Sequence, residues 1–328
     1  MKILVAPLNW GLGHASRCVP LIRHLQEEGH EVILGGDGES LTLLRKHFPK
    51  LRYTYLAPLN LRYSAGKHQV WAMLKALPQL FFWSLKDHAM LKALLREEPI
   101  DQVISDNRFG LYHNRKSIID NRNTECIYMT HQLHIMLPKG LRWAEGIASR
   151  MHARIYARYN KVWVPDYEEI EKSLAGELSH STFNIQHSTL IEYIGPLSRF
   201  QKQSPITNHQ SPIFDVVAVL SGLEPQRTLL EQKIIARYSN TEERVLIVQG
   251  LMHRPNTRIK RGNTTIVPSM TDAELVPAML GANHIIARSG YSTIMDLDAL
   301  GLMQKAELIP TPGQPEQEYL ATLHNKMK

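Results

Sequence analysis

"HIIARSGYSTIMDLDALGLMQKAELIPTPGQPEQEYLA", residues 284–321, decides the architecture. An apolar run (284–287) ends in Arg288-Ser289-Gly290, and a helix-length stretch (291–300) follows. A second apolar run (306–309) then leads into Pro310-Thr311-Pro312-Gly313, and a last helical stretch opens at Glu316. Strand, tight turn, helix, strand, helix is the repeating unit of a parallel sheet covered by helices. The turn also carries chemistry. Gly290 lets a ligand approach the backbone, and Ser289, Tyr291, Ser292 and Thr293 bring N–H groups and hydroxyls to a helix amino terminus. With the cation of Arg288 beside it, such a turn suits a pyrophosphate. Asp296 lies four residues after Ser292 and so on the same helix face, where a carboxylate could accept both hydroxyls of a ribose. Gln317 and Glu318 are polar groups at the start of the final helix, expected to point back at that ligand.

The same alternation extends outward in both directions. Upstream in the second half, strands are predicted at 216–220, 245–249 and 265–267, with helices at 225–238 and 272–280. In the first half, strands are predicted at 2–7, 31–34, 52–56, 102–105, 125–129, 161–164 and 192–194, and helices at 15–28, 69–98, 140–159 and 167–175. Between the halves, "GPLSRFQKQSPITNHQSP" (195–212) is rich in Pro, Ser, Gln and Asn and has no periodicity, which is linker composition. The expected organisation is therefore a domain over 1–195, a linker over 196–212 and a second domain over 213–328. Each domain is a Rossmann-like parallel sheet, and the two are expected to face each other across a cleft. In such sheets ligands bind beyond the carboxyl ends of the strands.

Composition removes several classes. With 43% hydrophobic and 21% charged residues, the chain is an ordinary globular one, neither fibrous nor disordered. The opening apolar run is too short for a signal peptide, and no run approaches a membrane span. Two cysteines, Cys18 and Cys126, build no disulfide framework, so a reducing cytoplasm is expected. The net charge of +7 favours phosphate-bearing partners. It is scattered, with no basic run interleaved with aromatics, so no nucleic-acid partner is expected.

The first strand leads into "LNWGLGHASRC" (8–18). Gly11-x-Gly13-x-x-Ser16 is close to the dinucleotide fingerprint, and Asp37 lies about where a ribose-binding acid would sit. Two readings are open at this point: a nicotinamide-binding loop, or one side of a group-transfer site in which His14 does the chemistry.

The 284–321 stretch resembles the nucleotide-sugar-binding signature of GT-B glycosyltransferases. In particular it is similar to glycosyltransferase family 28, which includes the bacterial peptidoglycan N-acetylglucosamine transferases. An Arg-Ser-Gly turn, an acid one helical turn on, and a Gln-Gln or Gln-Glu pair after a Pro-containing loop recur there in this order. Here they are Arg288-Ser289-Gly290, Asp296 and Gln317-Glu318, with Asp296 one methylene shorter than the more usual glutamate. "GLGHASRCVPLIRHLQEEGHEV" (11–32) resembles the family's glycine-rich loop with its histidine, and "YIGPLSRF" (193–200) its domain junction. The family's second glycine-rich loop reads "LSGLEPQRT" (220–228) here, with Gly222 alone. The resemblance implies donor contacts from Gly11, Gly13, Ser221, Gly222, Arg227 and Thr293 beside those already named. It also implies a UDP-sugar as co-substrate, no separate cofactor, and inversion at the transferred sugar. GT-B proteins commonly continue past the last helix, so a short or differently closed end is expected.

An inverting transfer needs a base for the acceptor hydroxyl, and imidazole titrates in the right range, which points to His14. Asp106 in "VISDNRFG" (103–110) follows a strand and could orient His14 or bind the acceptor. "MTHQLHI" (129–135) offers His131 and Gln132 as acceptor contacts. Asp296-Leu297-Asp298 has the letters of a metal motif, but residues two apart on a helix diverge by roughly 200° and cannot share an ion. No metal is expected. Residues 68–98 interleave Trp71, Leu80, Phe81, Phe82 and Trp83 with Lys75, Lys86, Lys92 and Arg96, beside Lys67. That suggests peripheral contact with the inner face of a membrane, next to a lipid-linked acceptor.

The preferred expectation is an inverting, metal-independent hexosyltransferase. It would use a UDP-sugar such as UDP-N-acetylglucosamine on a glycan or lipid-linked cell-envelope acceptor. The alternatives are a nucleotide-sugar epimerase, a non-catalytic GT-B-like nucleotide binder, or a nicotinamide-dependent oxidoreductase using Gly11, Gly13 and Asp37.

Overall fold

The computed structural model describes residues 1–59, 69–113, 124–180, 190–200, 213–222, 224–251, 254–255 and 257–325, the side chains of 69–77 excepted. Most of the predicted linker, 201–212, and Lys67, His68 and the side chains of Trp71 and Lys75 lie outside the described residues. The chain divides into two compact units. One comprises Met1–Asn9 and His14–Leu197, the other Trp10–Gly13 and Ser198–Lys328.

The first unit is built in the order β1 (Lys2–Pro7), α1 (Gly13–Glu27), β2 (Glu31–Gly36), α2 (Gly38–His47), β3 (Arg52–Tyr55), α3 (Gln69–Glu97), β4 (Gln102–Asp106), β5 (Glu125–Met129), α4 (Glu145–Tyr156), β6 (Lys161–Val164) and β7 (Ile191–Tyr193). Its seven-stranded sheet runs β3-β2-β1-β4-β5-β6-β7, every neighbouring pair parallel. Strands such as Ile3-Leu4-Val5-Ala6 are apolar throughout and fully buried, as a sheet with both faces covered requires. Helix α1 buries Ala15, Cys18, Val19, Ile22 and Leu25, one stripe at helical spacing. Chain order reverses between β1 and β4, so a crevice opens beyond the carboxyl ends of those two strands.

The second unit follows the same plan: β8 (Val216–Val219), α5 (Gln226–Tyr238), β9 (Val245–Val248), β10 (Ile259–Arg261), β11 (Thr264–Val267), α6 (Asp272–Gly281), β12 (His284–Arg288), α7 (Tyr291–Ala299), β13 (Ala306–Ile309) and α8 (Pro315–Asn325). Its sheet order is β10-β11-β9-β8-β12-β13, parallel except for the edge pair β10–β11. The reversal falls between β8 and β12.

Four elements depart from expectation. The helix predicted at 167–175 does not form. The buried Asp166 carboxylate instead gathers the N–H groups of Tyr167, Leu174 and Ala175 and the hydroxyls of Ser173 and Ser179, which holds the segment as turns. The helix predicted at 140–159 divides into a 3-10 stretch, Lys139–Ala144, and α4. Helix α2 went unpredicted because its start, "GGDG", reads as a loop. Strand β10, three exposed residues long, has no alternation to reveal it.

Candidate active site

In the first unit, Asp106 ends β4 and is fully buried. Its carboxylate accepts from Arg17 Nε at 2.7 Å and from Arg17 Nη2, and it lies 3.0 Å from Nδ1 of His14. His14 and Arg17 are three residues apart on α1, hence on one face, and both meet the carboxylate. His14 is 17% exposed, whereas Arg17 is all but closed off from solvent. The second guanidinium nitrogen, Nη1, is 3.0 Å from Nδ1 of buried His131, just past β5. Gln132 beside it donates its N–H to the Thr130 hydroxyl. Burial works to raise the Asp106 pKa, but the charges and hydrogen bonds of Arg17 and His14 outweigh it, and the carboxyl is held well below the usual carboxylate range. Asp106 is therefore an anion throughout the working pH range.

The next residue makes the turn. Asn107 adopts φ +58°, the left-handed region, and its side-chain oxygen accepts from the hydroxyl of Tyr128 at 2.8 Å. In the Asp-Asn pair, the asparagine bends the chain and the aspartate holds charge. Arg17 was not singled out from sequence. The i, i+3 spacing from His14 was the available signal for Arg17.

Asp37, the acid the nicotinamide reading needs, is occupied. One oxygen accepts from Arg108 Nη1 at 2.9 Å and the other from Asn9 Nδ2 at 3.0 Å. Arg108, fully buried, also forks onto Asp87 and reaches the Ala57 carbonyl. That reading thereby loses its ribose acid. Gly11, at φ +79°, supplies the left-handed turn of the loop.

In the second unit, Ser221 and Gly222 follow β8, Gly222 at φ +97°. Arg227, in the first turn of α5, is buried and bonded to Glu224, Glu231 and the Thr228 hydroxyl. Arg288 ends β12 with its guanidinium buried. Nη1 donates to the Pro310 carbonyl at 2.9 Å and Nη2 to the Gln226 carbonyl at 2.6 Å. Both arginines thus brace loops around the strand ends. Ser289, fully buried, donates to the Gln317 carbonyl; the Gln317 side chain accepts from Thr311 N–H, and Glu318 accepts from Gly313 N–H. The Pro-rich loop is thereby pinned over the turn.

Gly290 caps α7 at φ −74°, and a Cβ added there would meet no protein atom within 4 Å. Glycine is kept at this position neither for its dihedral nor for protein packing. Thr293 donates its N–H to the Gly290 carbonyl. Ser292 Oγ donates to the Gly13 carbonyl at 2.8 Å, within the unit that includes Trp10–Gly13, and a Cβ at Gly13 would lie 2.7 Å from that oxygen. Asp296 accepts from the Ser198 hydroxyl at 2.7 Å and has Arg199 Nε 3.6 Å away. Burial lifts its pKa to about 6, against the opposing pull of Arg199 and Ser198. Among the described residues no group of acids, histidines and cysteines is placed to hold a metal ion.

On α3, Trp83 is 4% exposed and donates its indole N–H to the Ala57 carbonyl, while Phe81 and Phe82 are each 62% exposed. No described helix is long and apolar enough to cross a membrane.

No family model matches the chain. Over 97% of its length it is 24% identical to an uncharacterized glycosyltransferase of Methanosarcina acetivorans, of which it covers 82%. Among solved structures it is similar to the glycotransferase of kitacinnamycin, with a TM-score of 0.58 and 12% identity, covering 98% of this chain and 83% of that one. It is also similar to LpCGTa, solved in complex with UDP, with a TM-score of 0.55 and 14% identity over 99% of this chain and 82% of that one. The chain has the GT-B glycosyltransferase fold.

Proposed function

We propose that the chain is a glycosyltransferase that moves a sugar from a UDP-sugar onto an acceptor hydroxyl, with inversion and without a metal. The observation that carries this reading is the His14–Asp106 contact at 3.0 Å, beyond the ends of β1 and β4 where an open sheet binds its ligands. The buried anion orients the ring and stabilises the imidazolium that forms when His14 takes the acceptor proton. In the second unit the amino end of α7 receives the leaving diphosphate, with Gly290 allowing the close approach. Asp296 takes the ribose, and Arg288, Arg227, Gln317 and Glu318 hold the surrounding loops in place. Gly222 and Ser221 after β8, and Thr293 on α7, line the same nucleotide. His131 and Gln132 contact the acceptor.

The finer reading is N-acetylglucosamine transfer to a cell-envelope or lipid-linked acceptor at the inner face of the membrane. It rests on the family 28 resemblance and on exposed Phe81, Phe82 and Leu85 beside Lys86 and Lys92. Flotation with anionic vesicles at low and high salt tests the membrane part; no binding at either retires it.

A donor screen with UDP-, TDP- and GDP-sugars, reading nucleotide release, tests the activity. Turnover with a UDP-sugar that is lost in His14→Ala, while UDP binding remains, is the expected result. Turnover unchanged in His14→Ala removes His14 as the base, and a thermal shift with NAD but not UDP overturns the class.

A further inference from the structure

Arg17 is the group on which the first unit's polar cluster closes, and nothing in the proposed reaction assigns it a task. Its guanidinium meets an anion and two imidazoles: Asp106 from β4, His14 from its own helix and His131 from the segment after β5. Two further titratable groups lie nearby: Cys18 on α1, whose sulfur is 3.8 Å from Asp106, and Tyr128 on β5. A guanidinium has no acceptor and does not lose its proton, so it dictates the protons around it. The 3.0 Å contact from Nη1 to His131 Nδ1 therefore requires a lone pair on that nitrogen, which puts the His131 proton on Nε2.

His14 is forced the other way. Its Nδ1 lies 3.0 Å from Asp106 Oδ1 and 3.1 Å from Arg17 Nη2, while Nη2 itself donates to that same Oδ1. The two N–H bonds of Nη2 are about 120° apart in the guanidinium plane. With one aimed at Oδ1, the other is left to reach Nδ1, so this nitrogen stands between a cationic donor and an anionic acceptor. A lone pair at Nδ1 would then oppose a carboxylate, whereas a proton there completes a charge-assisted bond.

We propose that Arg17 is the positioning residue of this site, fixing His14 and His131 in opposite tautomers. His14 carries its proton on Nδ1 and offers a lone pair at Nε2; His131 carries its proton on Nε2 and is a neutral donor. One arginine thus separates an accepting from a donating imidazole, which suits an acceptor that gives up one hydroxyl proton while another of its oxygens receives a hydrogen bond. The catalytic meaning rests on the transferase reading, but the tautomers do not. Arg17 also balances Asp106, so His14 does not face an unopposed anion.

Long-range proton–nitrogen spectra of the full chain labelled with 15N-histidine read both tautomers directly, with His14→Gln and His131→Gln assigning the signals. The expected result is Nδ1–H at His14 and Nε2–H at His131; Nε2–H at both overturns the proposal. In Arg17→Gln the His131 proton, no longer directed by the guanidinium, should appear on both ring nitrogens, and an unchanged Nε2–H population in a folded variant contradicts the proposal. Should Arg17→Gln not fold, Arg17→Lys keeps a charge without the fork. His131 is then expected as a mixture of tautomers, and an unchanged Nε2–H population overturns the proposal. A thermal shift with UDP on the same samples separates the two claims. Fixed tautomers without UDP binding sink the transferase reading alone, and UDP binding with both histidines as Nε2–H sinks the Arg17 assignment alone.

Discussion

Asp106 and Arg288 occupy matching places in their sheets, each ending the strand that lies across the order reversal from its sheet's first strand. Both are buried charges, yet they are satisfied differently. Asp106 is met by side chains, a guanidinium and an imidazole. Arg288 is met by two backbone carbonyls. A buried charge has to find partners, and the type of partner decides what the place can do. Side-chain partners bring protons that can move, so the end of β4 is suited to chemistry. Carbonyl partners bring only shape, so the end of β12 presents a braced turn and the amino end of a helix, which suits holding an anion.

The largest way to break this contrast is Asp106→Ala. It leaves Arg17 buried without its counter-charge, a loss of about 3–5 kcal/mol that urea denaturation would show in the first unit. Asp106→Asn, which keeps shape and one acceptor, should fold better and still lose turnover. Next comes His14→Ala, expected to lower transfer by roughly 10²–10⁴-fold, with UDP affinity within about twofold of the parent by calorimetry. Arg288→Ala should lower stability by about 1–3 kcal/mol, since the Pro310 and Gln226 carbonyls lose their donor, and should weaken UDP binding through the loosened turn. If stability held and only affinity fell, Arg288 would touch phosphate directly and the contrast with Asp106 would fail.

The smallest effect concerns Asp296. Its folded pKa of about 6 lies above that of the unfolded chain, so its ionisation opposes folding as pH rises. The protonated acid's contribution is complete below about pH 4 and lost as pH climbs through about 6. Asp296→Asn should therefore raise the melting temperature at pH 7.5 and leave it nearly unchanged at pH 3.5. An equal effect at both values would deny Asp296 its raised pKa.

What was legible in the sequence was what is local. The 284–309 stretch folds as strand, turn, helix and strand because its apolar runs, its Ser-Gly turn and its helix spacing lie next to one another in the chain. The element types of both sheets followed from the same signal. What is non-local was not legible. Asp106 and Arg17 are 89 residues apart, and only the pairing of β1 with β4 brings them together. Asp37 sat at the spacing of a ribose acid, yet Arg108, 71 residues on, claims it. The segment 167–175 had helical composition, but one buried carboxylate at Asp166 offered its N–H groups a better set of partners than a helix would. Arg288 was correctly placed at a strand end, while the direction of its donors depended on carbonyls supplied by two other loops.

Gly290→Ala tests the central claim most directly, because the added Cβ meets no protein atom within 4 Å and so touches only what binds there. Calorimetric titration of the parent and the variant with UDP should give binding to the parent and an affinity at least tenfold weaker in the variant, at unchanged melting temperature. Equal UDP affinity in both, or no UDP binding by the parent, would contradict the account.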